Sequence, residues 1–471
     1  MLFSSAIFLF LFLPLTVLTY YLVKGRLKNI ILLIASLVFY AWGGVSYSVI
    51  LIFSILFNYL FGYLIHKNKN KKLYLSIGVG LNLLVLGIFK YADFIIENIN
   101  KITESFSFEK INQPHIILPI GISFFTFQAI SYLVDIYRND VKYRKNFVNL
   151  ALYISLFPQL IAGPIVRYHD IANQLIKRNH SLINIGKGVE RFIIGLAKKV
   201  LLANNFAVVA DSIFNSDYST LSTPTAWLGI ISYSFQIYFD FSGYSDMAIG
   251  LGKIFGFTFL ENFNFPYISK TIKEFWRRWH ISLSTWFRDY LYIPLGGNRV
   301  SQKRVYLNLL IVFTLTGFWH GASWNFLFWG LFHGLFLVLE RIGLDKLLKK
   351  LWTPFQHLYA LTIVIIGWVF FRVESINDGF YFVKQMFSSP VSDNLWLSYF
   401  DIKFIIVLTV AILGSMNFFP KLKTAFYSIT KNNFVKTAGE FAYSIILLML
   451  FAASSVMLLS DTYNPFIYFR F

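Results

Sequence analysis

The chain has 471 residues, of which 56% are hydrophobic and only 14% charged, and its mean hydropathy is +0.59. A soluble chain of this length would carry about 25% charged residues. The net charge of +19 does not mark a nucleic-acid surface, because the basic residues fall in short connectors such as "KGRLK" (24–28), "HKNKNKK" (66–72), "KYRKN" (142–146) and "DKLLKK" (345–350). That is the positive-inside pattern of a membrane protein; nucleic-acid binding would need one basic stripe on a folded surface. The absence of Cys excludes disulfides, a thiolate nucleophile, an iron–sulfur cluster and S-palmitoylation.

Apolar runs of about 17–25 residues cross a hydrocarbon core of about 30 Å. They occur here at 2–23, 29–45, 47–65, 73–93, 114–137, 189–212, 224–255, 306–322, 324–341, 355–373, 402–420 and 439–460. The pair within 306–341 is tight enough to be one broken element, so about 11 or 12 transmembrane helices are expected. The first run, "MLFSSAIFLFLFLPLTVLTYYLV", lacks a basic n-region and an A-x-A site and reads as a retained span. If 24–28, 66–72, 138–146, 345–350 and 421–432 are cytoplasmic, the topology alternates without conflict and the N-terminus lies outside. The connectors 91–113 and 374–400 are too small to be modules, so residues 1–471 are expected to form one all-α polytopic membrane domain.

Two stretches fit no clean span. "LYISLFPQLIAGPIVRYHDI" (152–171) carries two prolines and Gly163 inside an apolar run, and "KEFWRRWHISLSTWFRDYLYIPLGG" (273–297) is aromatic but too charged to face lipid. Non-helical or polar backbone persists at membrane depth only where protein or water covers it. Both are expected to be re-entrant or interfacial segments lining a cavity.

The second stretch is the first candidate for chemistry. Read as one helix, it places Lys273, Arg277, His280 and Ser284 on one face, with Trp279 on a separate aromatic face and Glu274 spaced to pair with Arg278. One reading is an interfacial helix with snorkelling arginines. The other is a polar wall that holds an anionic donor through Lys273, Arg277 and Arg278 while His280 points into the cavity, since guanidinium suits phosphate.

The stretch "TLTGFWHGASWNFLFWGLFHG" (314–334) puts His320 and His333 among apolar and aromatic residues. Gly317 with Gly321, and Gly330 with Gly334, allow close helix approach, so His320 should face protein. An ionisable group at that depth is a functional candidate by default, against the plainer reading of a histidine hydrogen-bonded between helices; His333 fits the plainer reading better. Asp240 and Asp246, in "FQIYFDFSGYSDMAIGLGKIFGF" (235–257), need partners and read equally as a polar tie between helices or as chemistry. No Walker A, G-x-S-x-G or H-E-x-x-H motif is present, and the scattered histidines have no metal-ligand spacing. From the residues alone, two readings stand: an intramembrane transferase using histidine as a general base, and a proton-coupled transporter using His and Asp as a relay.

At these residues the sequence resembles the membrane-bound O-acyltransferase (MBOAT) family, and within it the bacterial branch of alginate O-acetylation proteins and peptidoglycan O-acetyltransferases. The resemblance rests on "LPIGISFFTFQAISYLVDIYR" (118–138), "FPQLIAGPIVRY" (157–168), "FDFSGYSDMAIGLGKIFGF" (239–257), "FWRRWHISLSTWFRDYLYIPLGG" (275–297), "TGFWHGASWNFLFWGLFHG" (316–334) and the closing "NPFIYFRF". It implies helices around a central funnel, with His320 catalytic and His280 a second functional position. Trp279, Trp319, Asn325, Asp240 and Asp246 are expected to support them. It further implies acetyl-CoA as donor, no metal, and an SGNH/GDSL-type extracytoplasmic partner that places the acetyl group on an exported or cell-wall polysaccharide. The implied location is the bacterial cytoplasmic membrane. The related D-alanyl transfer proteins of teichoic acid synthesis share the histidines, and D-alanyl transfer is the alternative.

Overall fold

The computed structural model describes residues 1–392, 394–430, 432–460 and 463–467, and every regular element among them is helical. The last four residues of "NPFIYFRF", and residues 393 and 431 of the expected connectors, lie outside the described residues.

Each of the twelve apolar runs falls on a helix. Among the described residues, six helices are both long and apolar enough to cross a membrane: Val45–Lys67, Lys71–Ser105, Leu182–Phe214, Trp324–Leu348, Thr353–Arg372 and Asn433–Ser460. Ile402–Ser415 and Phe418–Ile429, bent by 69° at their junction, add a seventh if they count as one span. The others differ for visible reasons. Phe8–Leu22 and Leu27–Ala41 are shorter, and the run at 114–137 becomes helical only at Ile122 because Gly121 turns the chain at φ +77°. Thr223–Ile254 is 32 residues long but almost wholly buried and carries Asp240 and Asp246. It is a central helix that the rest of the protein surrounds, and its neighbours take the lipid-facing role.

Small residues set the closest approaches. A methyl at Gly195 would lie 2.6 Å from the Gly243 carbonyl, and one at Gly250 would lie 2.6 Å from the Gly188 carbonyl, so the central helix and Leu182–Ala197 touch backbone to backbone. Likewise Gln302–His320 and Trp324–Leu339 form a hairpin in which a methyl at Gly317 would stand 3.1 Å from the Gly330 Cα. Gly321 and Gly334 also meet the opposite helix, a methyl at Gly321 falling against Phe326 and one at Gly334 3.1 Å from Phe313, so all four glycines expected to permit close packing do so.

Both irregular stretches are broken helices. In the first, Phe147–Ser155 ends at Leu156, a short turn Phe157–Leu160 follows, and the chain doubles back through Gly163 to Arg167. Residues 156–165 are all buried. In the second, Ile272–Arg278 and Ile281–Phe287 are separate helices, joined through an extended Trp279 and through His280 at φ 44°, ψ 53°. This corrects the single-helix reading of 273–286, in which Lys273, Arg277, His280 and Ser284 shared a face. The break is held from outside: the Arg278 carbonyl accepts from the Asn264 N–H at 2.9 Å, and the Ile281 N–H donates to the Asn262 carbonyl at 2.9 Å. Backbone groups freed at a helix break need such partners. The two broken stretches also touch, since the Ile165 N–H donates to Ser282 Oγ at 2.9 Å.

Candidate functional site: two histidines at a helix break and a helix end

His280 is fully buried, and Asn262 fixes its ring. The Asn262 Oδ1 accepts from the Ser282 backbone N–H (3.2 Å) and Ser282 Oγ (2.9 Å), and lies 3.1 Å from His280 Nδ1. A backbone N–H can only donate, so this Asn262 atom is the amide oxygen, and His280 Nδ1 carries a proton toward it. In a neutral ring that leaves the lone pair on Nε2. Asn262 is held in turn by its own donation to Ser245 Oγ at 3.0 Å. Nothing in the spacing of the sequence marks Asn262, because its role comes from the chain crossing the break.

His320 is the last residue of Gln302–His320 and is 6% exposed. Its ring centroid lies 6.5 Å from that of His280, so the structure brings together the two histidines singled out in the sequence. Trp319, Trp329 and Phe371 surround it edge-on at 5.0–5.2 Å. His320 also lines two cavities. One, of about 200 Å³, is bounded by Lys90, Gly121, Ser123, Ile161 and Trp319. The other is a narrow aromatic space of about 10 Å³ between Phe241, Trp279, Trp329, Trp368 and Ile467, room for about one water molecule. His320 thus belongs to the lining of both a roomier polar-edged chamber and a tight apolar one.

The remaining residues fall into place around this pair. Trp319 borders the larger cavity and stacks on Phe127 at 5.3 Å. Trp279 borders the smaller one, stacked on Phe275 at 5.6 Å. Asn325 lines neither cavity: its Nδ2 donates to the Val373 carbonyl at 2.6 Å and ties the hairpin to the end of Thr353–Arg372.

Both aspartates are polar ties. Asp240 pairs with Lys199 at 2.8 Å, each side chain 2% exposed, and accepts from the Ile467 N–H at 2.8 Å. Lys199 also donates to the Pro465 carbonyl, so this pair anchors the chain's last described residues beside the smaller cavity. Asp246 binds Lys198 and Arg191, both at 2.6 Å.

The three cations stand apart from the histidines. Lys273 and Arg277 are exposed, and Arg278 is paired with Glu274 at 2.9 Å. His333 is fully buried between Trp276 and Trp329 at 5.2 and 5.1 Å, with neither ring nitrogen hydrogen-bonded. It packs rather than ties.

Sequence reasoning passed over Lys90, which borders the larger cavity. The signal was present: a charge inside the apolar run at 73–93, which otherwise carries only Asp93 at its very end, and a charge at membrane depth marks a functional candidate.

Broken helices meeting at buried histidines, one of which lines two cavities, define a polytopic membrane protein with an interior chemical site. The sequence model of the membrane-bound O-acyltransferase family matches residues 140–383, a stretch that contains both histidines. The chain is 42% identical to the Azotobacter vinelandii protein named "Probable alginate O-acetylase AlgI", with all of each chain covered. It is 38% identical to the Helicobacter pylori peptidoglycan O-acetyltransferase, over all of this chain and 98% of that one. Similarity to the Bacillus subtilis teichoic acid D-alanyltransferase is 29% and covers 57% of this chain and 70% of that one. The chain belongs to the membrane-bound O-acyltransferase family and is a multi-pass membrane acyltransferase, which decides between the transferase and transporter readings.

Proposed function

We propose that this protein moves an acetyl group from cytoplasmic acetyl-CoA to the outer side of the bacterial cytoplasmic membrane, for O-acetylation of an exported or cell-wall polysaccharide. The observation that carries the reading is that His320 lines both cavities. A base placed there can face a donor arriving from one side and an acceptor arriving from the other, while surrounding aromatics keep water from the activated acyl group. Full-length similarity to alginate and peptidoglycan O-acetylating proteins supports acetyl over D-alanyl transfer, for which the similarity is partial.

In this reading the chain is one membrane domain with its basic connectors in the cytoplasm and its N-terminus outside. Residues 152–171 and 273–297 are re-entrant. The exposed Lys273 and Arg277, one helical turn apart, receive the donor's phosphates at the cytoplasmic mouth. An imidazole nitrogen of His320 accepts the proton of the attacking hydroxyl as that oxygen bonds to the acetyl carbon. The carbon–sulfur bond then breaks and the sulfur takes the proton, leaving an acetyl ester and the free thiol of CoA. His280, its ring set by Asn262, completes the site beside it. An SGNH-type extracytoplasmic partner then delivers the acetyl group to the polymer.

The test uses inverted membrane vesicles of the native host, supplied with radiolabelled acetyl-CoA on the exposed cytoplasmic face. Label should enter polymer with the wild-type chain and fall to background with His320→Ala. Unchanged labelling in His320→Ala would make this histidine structural and overturn the reading.

A further inference from the structure

A helix that stops inside a protein leaves its last four carbonyls without partners in the helix, and in a buried setting each must be met from elsewhere. Gln302–His320 stops at the candidate catalytic residue itself, because Gly321 turns extended at φ −157°, ψ 148°. Its four final carbonyls belong to Gly317, Phe318, Trp319 and His320. Gly317 accepts from the Gly321 N–H at 3.3 Å. The other three are met by two consecutive residues of a different helix, Lys71–Ser105. Tyr91 Oη donates to the Phe318 carbonyl at 2.9 Å, and Lys90 Nζ donates to those of Trp319 and His320 at 2.6 and 3.0 Å. The Tyr91 ring also stacks on Phe318 at 4.1 Å and 14°. The helix end is therefore closed from outside, and the residue that ends it is held by its own carbonyl.

From this geometry we infer that Lys90, with Tyr91 beside it, is a positioning residue for His320. The proposal rests on the reading of His320 as the catalytic base. Lys90 acts on the backbone that carries the imidazole, and it sets where the ring stands in the lining of the two cavities. Lys90 and the two residues whose carbonyls it serves, Trp319 and His320, border the same larger cavity. Ser123 Oγ, 3.5 Å from Nζ, steadies the amine from the third side. A lysine suits the task because one nitrogen with three donors can reach two carbonyls and a hydroxyl together. Arginine at the same place could reach the same oxygens; methionine, similar in length, could reach none.

The same vesicles and labelled acetyl-CoA test the assignment, with Lys90→Met, Lys90→Arg, Tyr91→Phe and His320→Ala compared at equal membrane abundance. A misplaced base slows the chemical step without weakening donor binding. The maximal rate should fall about tenfold or more in Lys90→Met, with KM for acetyl-CoA changed less than about twofold. Lys90→Arg should recover most of the rate. Where Lys90→Met fails to accumulate, Tyr91→Phe keeps the stacked ring, removes a single donor and should lower the rate about threefold. His320→Ala inactive with Lys90→Met at the wild-type rate overturns the Lys90 assignment and leaves the reading of the site intact. His320→Ala as active as wild type overturns both. A Lys90→Arg variant as slow as Lys90→Met, or a rise in KM with an unchanged maximal rate, also overturns the assignment, since the amine would then serve something other than the helix end.

Discussion

Gly121 is a position where one added methyl group should damage both the backbone and the packing of the cavity wall. It sits at φ +77°, in the left-handed region, and an ideal Cβ built there lies 2.6 Å from the Leu160 carbonyl oxygen. Two costs follow for Gly121→Ala. Holding an L-residue in that backbone region costs about 1–2 kcal/mol. Reaching ordinary contact at 3.4 Å also requires the Leu160 carbonyl to retreat by about 0.8 Å. That carbonyl belongs to the buried turn of the first broken stretch, where overpacking costs about 1–3 kcal/mol.

The shift also reaches the chemistry, because Gly121 and Ile161 line the same cavity as His320. A misplacement of about 1 Å near reacting groups can cost about 10²-fold in rate, so a loss of tens-fold is expected. The assay pairs thermal unfolding in detergent with labelled-acetyl transfer in vesicles. Gly80→Ala is the control, because a Cβ there meets nothing within 4 Å and alanine favours a helix by up to about 1 kcal/mol. Asparagine tolerates the left-handed backbone but still carries a Cβ, so Gly121→Asn separates strain from clash. A Gly121→Ala variant as stable and active as Gly80→Ala would refute the reasoning.

Two further predictions concern charge. Lys199→Met should lower the melting temperature sharply, because it leaves Asp240 buried and unpaired, a loss of about 3–5 kcal/mol; adding Asp240→Leu should restore part of it. A double variant less stable than the single one would show that the pair does more than neutralise itself. His169 lies 3.1 Å from Asp135, and that hydrogen bond, with nearby Asp170 and against Arg167, raises its pKa above 6.5. The resulting stabilisation is full below pH 6.5 and is lost as pH climbs through the raised value. Melting temperature in detergent should therefore fall across that window in the wild type and stay flatter in His169→Gln. Equal slopes would remove His169 from the account.

The parts of this site that the sequence discloses are those whose causes are local. Two prolines and a glycine in 152–171 announce a broken helix, and Gly317 and Gly330 announce a close crossing, because each residue acts on its own backbone. His320 stands out because an ionisable group in an apolar run carries its cost wherever the chain goes. The break at His280 was hidden for the opposite reason. "RRWHIS" has no Gly or Pro, and the residue goes left-handed because the backbone at 262–264 takes up the freed hydrogen bonds. The cationic partners of Asp240 and Asp246 are 41–55 residues away in the chain, so no spacing rule reaches them. Thr223–Ile254 shows the limit of apolarity as a guide, because an apolar run reads the same whether protein or lipid covers it, and here protein does.

Both histidines stand where a helix stops, and this explains which polar groups surround them. An uninterrupted helix satisfies its own backbone and brings no polar atoms to its neighbours. A break exposes carbonyls and N–H groups that must be met, and here the Asn262–Asn264 backbone meets those at His280 while Lys90 and Tyr91 meet those at His320. The polar residues packed nearest the site therefore divide by what they touch. Those bonded to backbone hold the histidines in place, and of the two histidines only His320 lines the cavities. It follows that removing a backbone-bonded group should change the rate of transfer without changing what is transferred, whereas the choice of acyl group should answer to the walls, Trp279, Trp329, Trp368 and Phe371, whose side chains shape the narrow space beside His320.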